Sequence, residues 1–118
     1  LPFSEELLKE IAQTYGTPVF VYDEAGIRKN AKQINDAFSW SPNYVNYFAV
    51  KATPTPAIVR IIESEKMGFD CSSRGELEMI ASEKLSNNGV FYTSNNTPDE
   101  DYIRANEIGA TINIDNLA

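Results

Sequence analysis

The chain has 118 residues and is 42% apolar, which suits one small domain with a packed core and argues against disorder. Its net charge of −7 excludes nucleic acid and anionic membranes as main partners, and its lone cysteine, Cys71, excludes an internal disulfide. The chain contains no histidine, so we expect no zinc site.

The N-terminal part predicts a helix, a strand and a second helix. SEELLKEIAQTYG reads as a helix with Ser4 as its N-cap and Gly16 just beyond its end. The segment PVFVYD, Pro18–Asp23, is rich in β-branched and aromatic residues and predicts a strand. Apolar residues at helical spacing predict a helix over Ala25–Phe38, and residues 39–43 predict a loop.

From Tyr44 onward the sequence alternates between strand-like and helix-like segments. The predicted strands are Tyr44–Val50, Gly68–Cys71, Val90–Ser94 and Thr111–Asp115. The three helices between them bear apolar residues at helical spacing: Ile58, Ile61 and Ile62, then Leu77, Ile80 and Ala81, then Ile103 and Ile108. Their predicted N-terminal signals are Thr55-Pro56 and two capping boxes, Ser73 to Glu76 and Thr97 to Glu100.

This alternation predicts an α/β fold with right-handed crossovers and a parallel sheet. An open doubly wound sheet and half of an eight-stranded barrel of about 250 residues both satisfy the pattern. Periodicity alone leaves these two architectures open.

Ligands bind at the carboxyl ends of parallel strands in both architectures. The candidate site residues are therefore the polar ones that end or follow each predicted strand: Lys51; Asp70, Cys71 and Ser72; Ser94 and Asn95; Asp115 and Asn116. Many of these side chains could instead have a purely structural role, since Ser, Thr, Asp and Asn are common helix caps. We expect Cys71 to be a small buried residue.

Lys51 ends the apolar run YFAVKA, Tyr47–Ala52. It could simply extend to solvent. Alternatively, partial burial could lower its pKa and supply the free amine that attacks a carbonyl carbon. Asp70, on the neighbouring strand, could pair with the lysine, which would oppose that shift.

The chain contains, in this order, the motifs YGTPVFVYD, YFAVKA and GFDCSSRGEL. Together these motifs resemble the N-terminal part of the fold-type III pyridoxal-phosphate decarboxylases. The resemblance covers the whole chain and is strongest to the members that act on diaminopimelate. It implies that Lys51 binds pyridoxal 5'-phosphate as an imine and that Asp70 lies near the cofactor. It also implies that Asn95 binds the cofactor from the next strand end.

The resemblance also implies an architecture. Residues 44–118 would form the first four strands of an incomplete (β/α)8 barrel. Residues 1–43 would lead into it, with Pro18–Asp23 belonging to a second, β-rich domain.

The activity implied is decarboxylation of meso-diaminopimelate to L-lysine, or of ornithine, arginine or carboxynorspermidine by a sister enzyme. The sequence also leaves open a non-enzymatic pyridoxal-phosphate-binding barrel or an unrelated α/β module. With no initiator methionine and a last strand that nothing follows, we expect a piece of a longer cytoplasmic protein, inactive by itself. We expect the full-length protein to be a homodimer and the piece to self-associate.

Overall fold

A computed structural model describes residues 2–114 of the chain. The helices are α1 (Glu5–Tyr15), α2 (Glu24–Ala37), α3 (Pro56–Ser64), α4 (Arg74–Glu83) and α5 (Asp99–Ile108). The strands are β1 (Tyr47–Ala49), β2 (Gly68–Cys71), β3 (Val90–Thr93) and β4 (Thr111–Asn113), and a 3-10 turn covers Val50–Ala52.

The strands form one parallel sheet in the order β1-β2-β3-β4. Ala49 is opposite Asp70, Asp70 is opposite Phe91, and Thr93 is opposite Asn113. Each strand is joined to the next by a helix, as strands of one parallel sheet require. The predicted α/β class with a parallel sheet is therefore confirmed.

The core lies between the sheet and helices α3 to α5. The residues that are almost fully buried include Val50, Val59, Phe69, Cys71, Leu77, Ile80, Tyr92 and Ala105. Successive strand residues point to opposite faces, so Phe69 and Cys71 enter this core while Asp70 faces the other side of the sheet. Burial of Cys71 agrees with the prediction.

Helix α2 packs against α3 through a polar contact. Arg28 donates to the carboxylate of Glu65 at 2.7 Å, and the side-chain amide of Asn35 donates to the backbone carbonyl of Glu65 at 2.7 Å. Helix α1 has no buried residue, and its predicted apolar stripe is partly exposed, with Leu7 42% and Tyr15 77% accessible. The described residues thus anchor α2, but not α1, to the sheet layers.

The strand predicted over Pro18–Asp23 is wrong for the described structure, where these residues lie outside helices and strands. Phe20 is 89% exposed. A strand needs a neighbouring strand to accept and donate its backbone hydrogen bonds. The described part of the chain places no such partner beside this segment.

Three other strands are shorter than predicted, and β3 differs least, since it ends at Thr93 instead of Ser94. The run Tyr44–Val50 contributes only β1, because Tyr44 stacks on Phe38 with ring centroids 4.5 Å apart and the chain turns at Val50. Strand β4 ends at Asn113, and the predicted strand residue Asp115 lies outside the described residues.

Most of the predicted helix starts hold. Ser4 accepts a hydrogen bond from the backbone of Leu7, and Ser73 accepts one from the backbone of Glu76. The capping box predicted for Thr97 is wrong, because Pro98 occupies the N-cap of α5 and the Thr97 hydroxyl donates to the carbonyl of Ser94 at 3.2 Å.

Ile103, one of the two apolar residues at helical spacing in α5, is 60% exposed. Ala105 is buried instead and brings α5 against the core. No helix among residues 2–114 has the length and apolar character to cross a membrane.

Candidate functional site

The concave face of the sheet, on the side opposite the helices, forms a cavity of about 240 Å³. Its lining residues are Tyr47, Asp70, Phe91, Thr93 and Asn113. They come from all four strands, because each strand turns alternate residues toward this face. The cavity combines a carboxylate, a hydroxyl and an amide with two aromatic rings.

Asp70 lines this cavity from β2. Its Oδ1 atom is buried and accepts no hydrogen bond from the described part of the chain. A buried carboxylate oxygen without a donor costs free energy. Asp70 therefore fits a ligand that presents an N–H, O–H or cationic group to it.

Tyr47 and Phe91 give the cavity an apolar surface. Their rings meet edge to face with centroids 4.5 Å apart. The Tyr47 ring crosses Gly68, where an added Cβ would lie 2.6 Å from it, and reaches Gly89, where an added Cβ would lie 2.9 Å from the phenol oxygen. The two glycines thus make room for the aromatic side chain, and a flat apolar group can pack on this pair.

Lys51 lies in the 3-10 turn directly after β1 and its side chain is exposed. It lines a separate depression of about 440 Å³ near the start of α4, together with Pro54, Ser73, Gly75, Glu76 and Met79. The described residues provide no ion pair between Lys51 and Asp70. The predicted shielding of the amine and its pairing with Asp70 are therefore not found, because the chain leaves the sheet at Val50 and the lysine faces open space.

The two positions are nevertheless near each other along the sheet edge. Asp70 is paired with Ala49, and Lys51 follows Ala49 by two residues. The turn that bears Lys51 and the end of β2 also pack together.

Asn95 lies in the exposed loop after β3, outside the residues that line the cavity. The structure therefore places it at the carboxyl edge of the sheet without bringing it to Asp70. Asp115 and Asn116, the other residues expected at this edge, lie outside the described residues.

Glu76 organises the end of β2. Its two carboxylate oxygens accept hydrogen bonds from the backbone N–H of Ser72 at 2.9 Å and from the hydroxyl of Ser73 at 3.0 Å. These bonds fix the turn that directly follows Asp70 and Cys71. Burial, then the charges of Glu76 and Asp70, raise the pKa of the Cys71 thiol to about 12, so this cysteine is not a nucleophile at neutral pH.

Sequence reasoning missed Tyr47, Phe91, Thr93 and Asn113 as cavity residues. It considered the residues that end or follow each predicted strand, whereas these four lie within strands or, for Thr93 and Asn113, at their last position. The signal that could have found them is the strand alternation itself, which puts them on the face of Asp70 once the register is known. No group of three or more potential metal-binding side chains occurs among residues 2–114.

Residues 24–118 match a family model described as "Pyridoxal-dependent decarboxylase, pyridoxal binding domain". This match covers more than half of the chain and confirms pyridoxal phosphate as the expected cofactor of the domain.

Individual relatives of this chain support the same family. The chain is 40% identical over 111 residues to Protein TabA of Pseudomonas amygdali pv. tabaci, covering 92% of this chain and 26% of that protein. It is 36% identical over 107 residues to a diaminopimelate decarboxylase of Methanothermobacter thermautotrophicus, covering 90% and 25%. The chain thus spans about a quarter of the length of these relatives.

A solved structure resembles the fold closely. It is the lysine/ornithine decarboxylase of Vibrio vulnificus in complex with cadaverine, with a TM-score of 0.85 and 28% identity. The similarity covers 98% of this chain and 32% of that one.

The residues present fit a pyridoxal group. The unsatisfied oxygen of Asp70 needs a donor, the Tyr47 and Phe91 rings offer an apolar surface, and the amine of Lys51 lies at the same sheet edge. The chain belongs to the pyridoxal-dependent decarboxylases, and its residues 24–118 match their pyridoxal binding domain.

Proposed function

We propose that the full-length protein is a pyridoxal-phosphate-dependent amino-acid carboxy-lyase, specifically a diaminopimelate decarboxylase that converts meso-diaminopimelate to L-lysine and CO2. The match of residues 24–118 to the pyridoxal binding domain is the observation that carries this proposal. Several relatives with the name diaminopimelate decarboxylase, at 27–37% identity, support the choice of substrate.

Three residues of this chain have proposed roles toward the cofactor. Lys51 would hold it covalently through its amine, which requires the amine to lose its proton and turn toward the concave face. Asp70 would accept a hydrogen bond through its buried Oδ1, and Asn95 would contribute from the loop above β3. Bound pyridoxal phosphate supplies an electron sink for the electron pair released when the bond to the substrate carboxylate breaks.

The chain also orients these groups. Glu76 fixes the turn after Asp70. The register between β1 and β2 sets the position of Lys51 relative to Asp70 along the strand direction. The Tyr47 and Phe91 rings give the cavity an apolar surface in addition to the carboxylate of Asp70. A ligand packed on these rings would shield from water the hydrogen bond that Asp70 accepts from it, which would strengthen that bond.

Substitution of Lys51 tests the proposal in the full-length protein with added cofactor and meso-diaminopimelate. We expect Lys51→Ala to lower the rate of CO2 and L-lysine formation by on the order of a thousandfold or more, because a covalent catalytic group is removed. Lys32→Ala, which removes an exposed lysine on α2, is the matched control and is expected to retain the parent rate. A Lys51→Ala variant with near-parent activity would sink the assignment.

A second candidate is a sister decarboxylase that acts on lysine or ornithine. The observation that favours it is the structural similarity to lysine/ornithine decarboxylase, solved with cadaverine and with putrescine. Rates with meso-diaminopimelate, lysine, ornithine, arginine and carboxynorspermidine decide between the members of the family. Cofactor binding without turnover of any of them would support the non-enzymatic binding protein instead.

We further propose that residues 44–118 form the first half of a (β/α)8 barrel, and that residues 1–43 lead from a β-rich domain into it. The four parallel strands with helices on one side are consistent with this arrangement, as is the coverage of 32% of the similar decarboxylase chain. In the complete protein, Pro18–Asp23 would then find its strand partner in the second domain. A homodimer is our proposal for the native assembly.

A further inference from the structure

Thr93 and Asn113 form a second polar side of the cavity. They are directly opposite each other in the register of β3 and β4, and both line the concave face. Asp70 lines the same cavity from β2. Thr93 is half-buried and Asn113 is exposed, and neither side chain forms a side-chain hydrogen bond within residues 2–114.

The residue types suggest a reason for this placement. Asparagine is disfavoured in strands, and the inner face of a closed parallel barrel is normally filled by apolar side chains. The cavity is open, so water reaches Thr93 and Asn113 when no ligand is bound. A hydroxyl and an amide that share one cavity with the unsatisfied Oδ1 of Asp70 suit a ligand with several polar groups.

We propose that Asn113, with Thr93 beside it, is a binding residue for the cofactor and holds it by hydrogen bonds from β4 and β3, while Asp70 holds it from β2. This inference rests on the proposed function, since it takes the cavity to be the pyridoxal site. The Thr93 hydroxyl can donate or accept, and the Asn113 amide can do both at once. Together with Asp70 they fix the in-plane orientation of a flat ligand that packs on Tyr47 and Phe91.

The test uses the full-length protein freed of cofactor and measures the dissociation constant for pyridoxamine 5'-phosphate. This probe has an amine in place of the aldehyde, so it cannot bond to Lys51, and its affinity reports the non-covalent contacts alone. We expect Asn113→Ala and Thr93→Val each to weaken binding about 2- to 10-fold, as loss of one hydrogen bond does. Asn106→Ala, at an exposed position on α5, is the matched control and is expected to bind as the parent does.

Thermal unfolding of the cofactor-free variants shows whether each is folded. If Asn113→Ala fails to fold, the nearly isosteric Asn113→Asp decides the question, because it replaces the amide donor by a second carboxylate in the cavity. Parent-like affinity in folded variants at both positions overturns the inference and leaves the proposed function intact. A parent protein that does not bind the probe overturns the proposed function, and the inference with it.

Discussion

At the scale of single residues, Cys71 shows how burial controls chemistry. Its side chain is fully inaccessible in the core between the sheet and the helices, and burial raises its pKa from the ordinary value of 9.0 to about 12, with smaller contributions from the charges of Glu76 and Asp70. The thiolate is the reactive form of cysteine. The folded protein therefore keeps this thiol protonated and unreactive.

This pKa shift predicts a pH dependence of stability. The unfolded thiol loses its proton above its ordinary pKa of 9.0, whereas the folded thiol keeps it until about pH 12. The unfolded state thus binds fewer protons in that window, and the free energy of unfolding falls as pH rises through it. Urea unfolding at a series of pH values should show this slope in the parent protein and a shallower one in Cys71→Ala.

Reaction with a thiol reagent provides an independent measurement. At pH 7 we expect labelling of Cys71 only when urea unfolds the protein. Rapid labelling of the folded protein would contradict the burial on which the pH prediction depends.

Gly68 is a residue whose side chain must be absent. A Cβ there would lie 2.6 Å from the Tyr47 ring and 2.8 Å from the carbonyl oxygen of Gly89. The ring cannot move far, because its edge already meets Phe91. Substitution would therefore displace both the aromatic surface of the cavity and the β2–β3 pairing.

We expect Gly68→Ala to lower the free energy of unfolding by about 1–3 kcal/mol, the usual cost of overpacking. Gly75→Ala is the control, since the nearest atom to an added Cβ there, outside the backbone of its own helix, is the hydroxyl oxygen of Ser73 at 4.0 Å. Alanine is also the better helix former, so the control should be neutral or slightly stabilising. Equal losses in both variants, measured by urea unfolding, would argue against the contact with Tyr47.

At the scale of elements, the helix starts show which sequence signals depend on local geometry. Ser73 and Thr97 are each followed three residues later by a glutamate. Only Ser73 caps its helix, through a bond from the backbone of Glu76. At the other site Pro98 is extended, with ψ 149°, and takes the N-cap position, so the helix begins at Asp99, one residue later than a cap at Thr97 requires.

The caps give a direct comparison. Ser73→Ala is expected to lower the free energy of unfolding by about 1 kcal/mol, the typical value for loss of an N-cap bond. Thr55→Ala, at the N-cap of α3, should cost less, because the Thr55 side chain makes no capping hydrogen bond. Chemical unfolding of both variants measures the difference. A larger loss for Thr55→Ala would mean that side-chain bonding does not determine the strength of these caps.

At the scale of the whole molecule, the two outer strands of the sheet each have one unpaired edge in the described structure. β1 and β4 each pair with one neighbour only, and two apolar side chains are exposed: Ile103 of α5, 60% accessible, and Ile114, which follows β4 and is 65% accessible. Free strand edges and exposed apolar groups favour association. The charge of −7 opposes association only partly, because salt screens repulsion between surface charges.

We therefore expect a protein of these 118 residues to self-associate, as sedimentation velocity would show. The double variant Ile103→Lys with Ile114→Lys should shift the distribution toward the monomer by placing charges beside β4. Asn106→Lys, on exposed α5 surface, adds charge without removing an apolar group and should change it much less. A parent chain that stays monomeric at the highest concentrations studied would refute the prediction.

The sequence by itself determined the order of elements from Gly68 onward, the parallel sheet and the position of Lys51 at its carboxyl edge. These follow from local signals: apolar periodicity, proline and glycine positions, and caps whose partners lie within one turn. The ordered motifs around Lys51 and Asp70 also identified the family and its cofactor correctly. Local signals suffice there because each depends on residues close in sequence.

Only the tertiary structure decided which residues share a cavity. Strand register put Thr93 and Asn113 on the face of Asp70, and the turn at Val50 put Lys51 in a different depression. Pro18–Asp23, which is strand-like in sequence, has no partner strand among the described residues. Pairing, register and side-chain direction depend on partners distant in the chain, and no local pattern in a single segment specifies them.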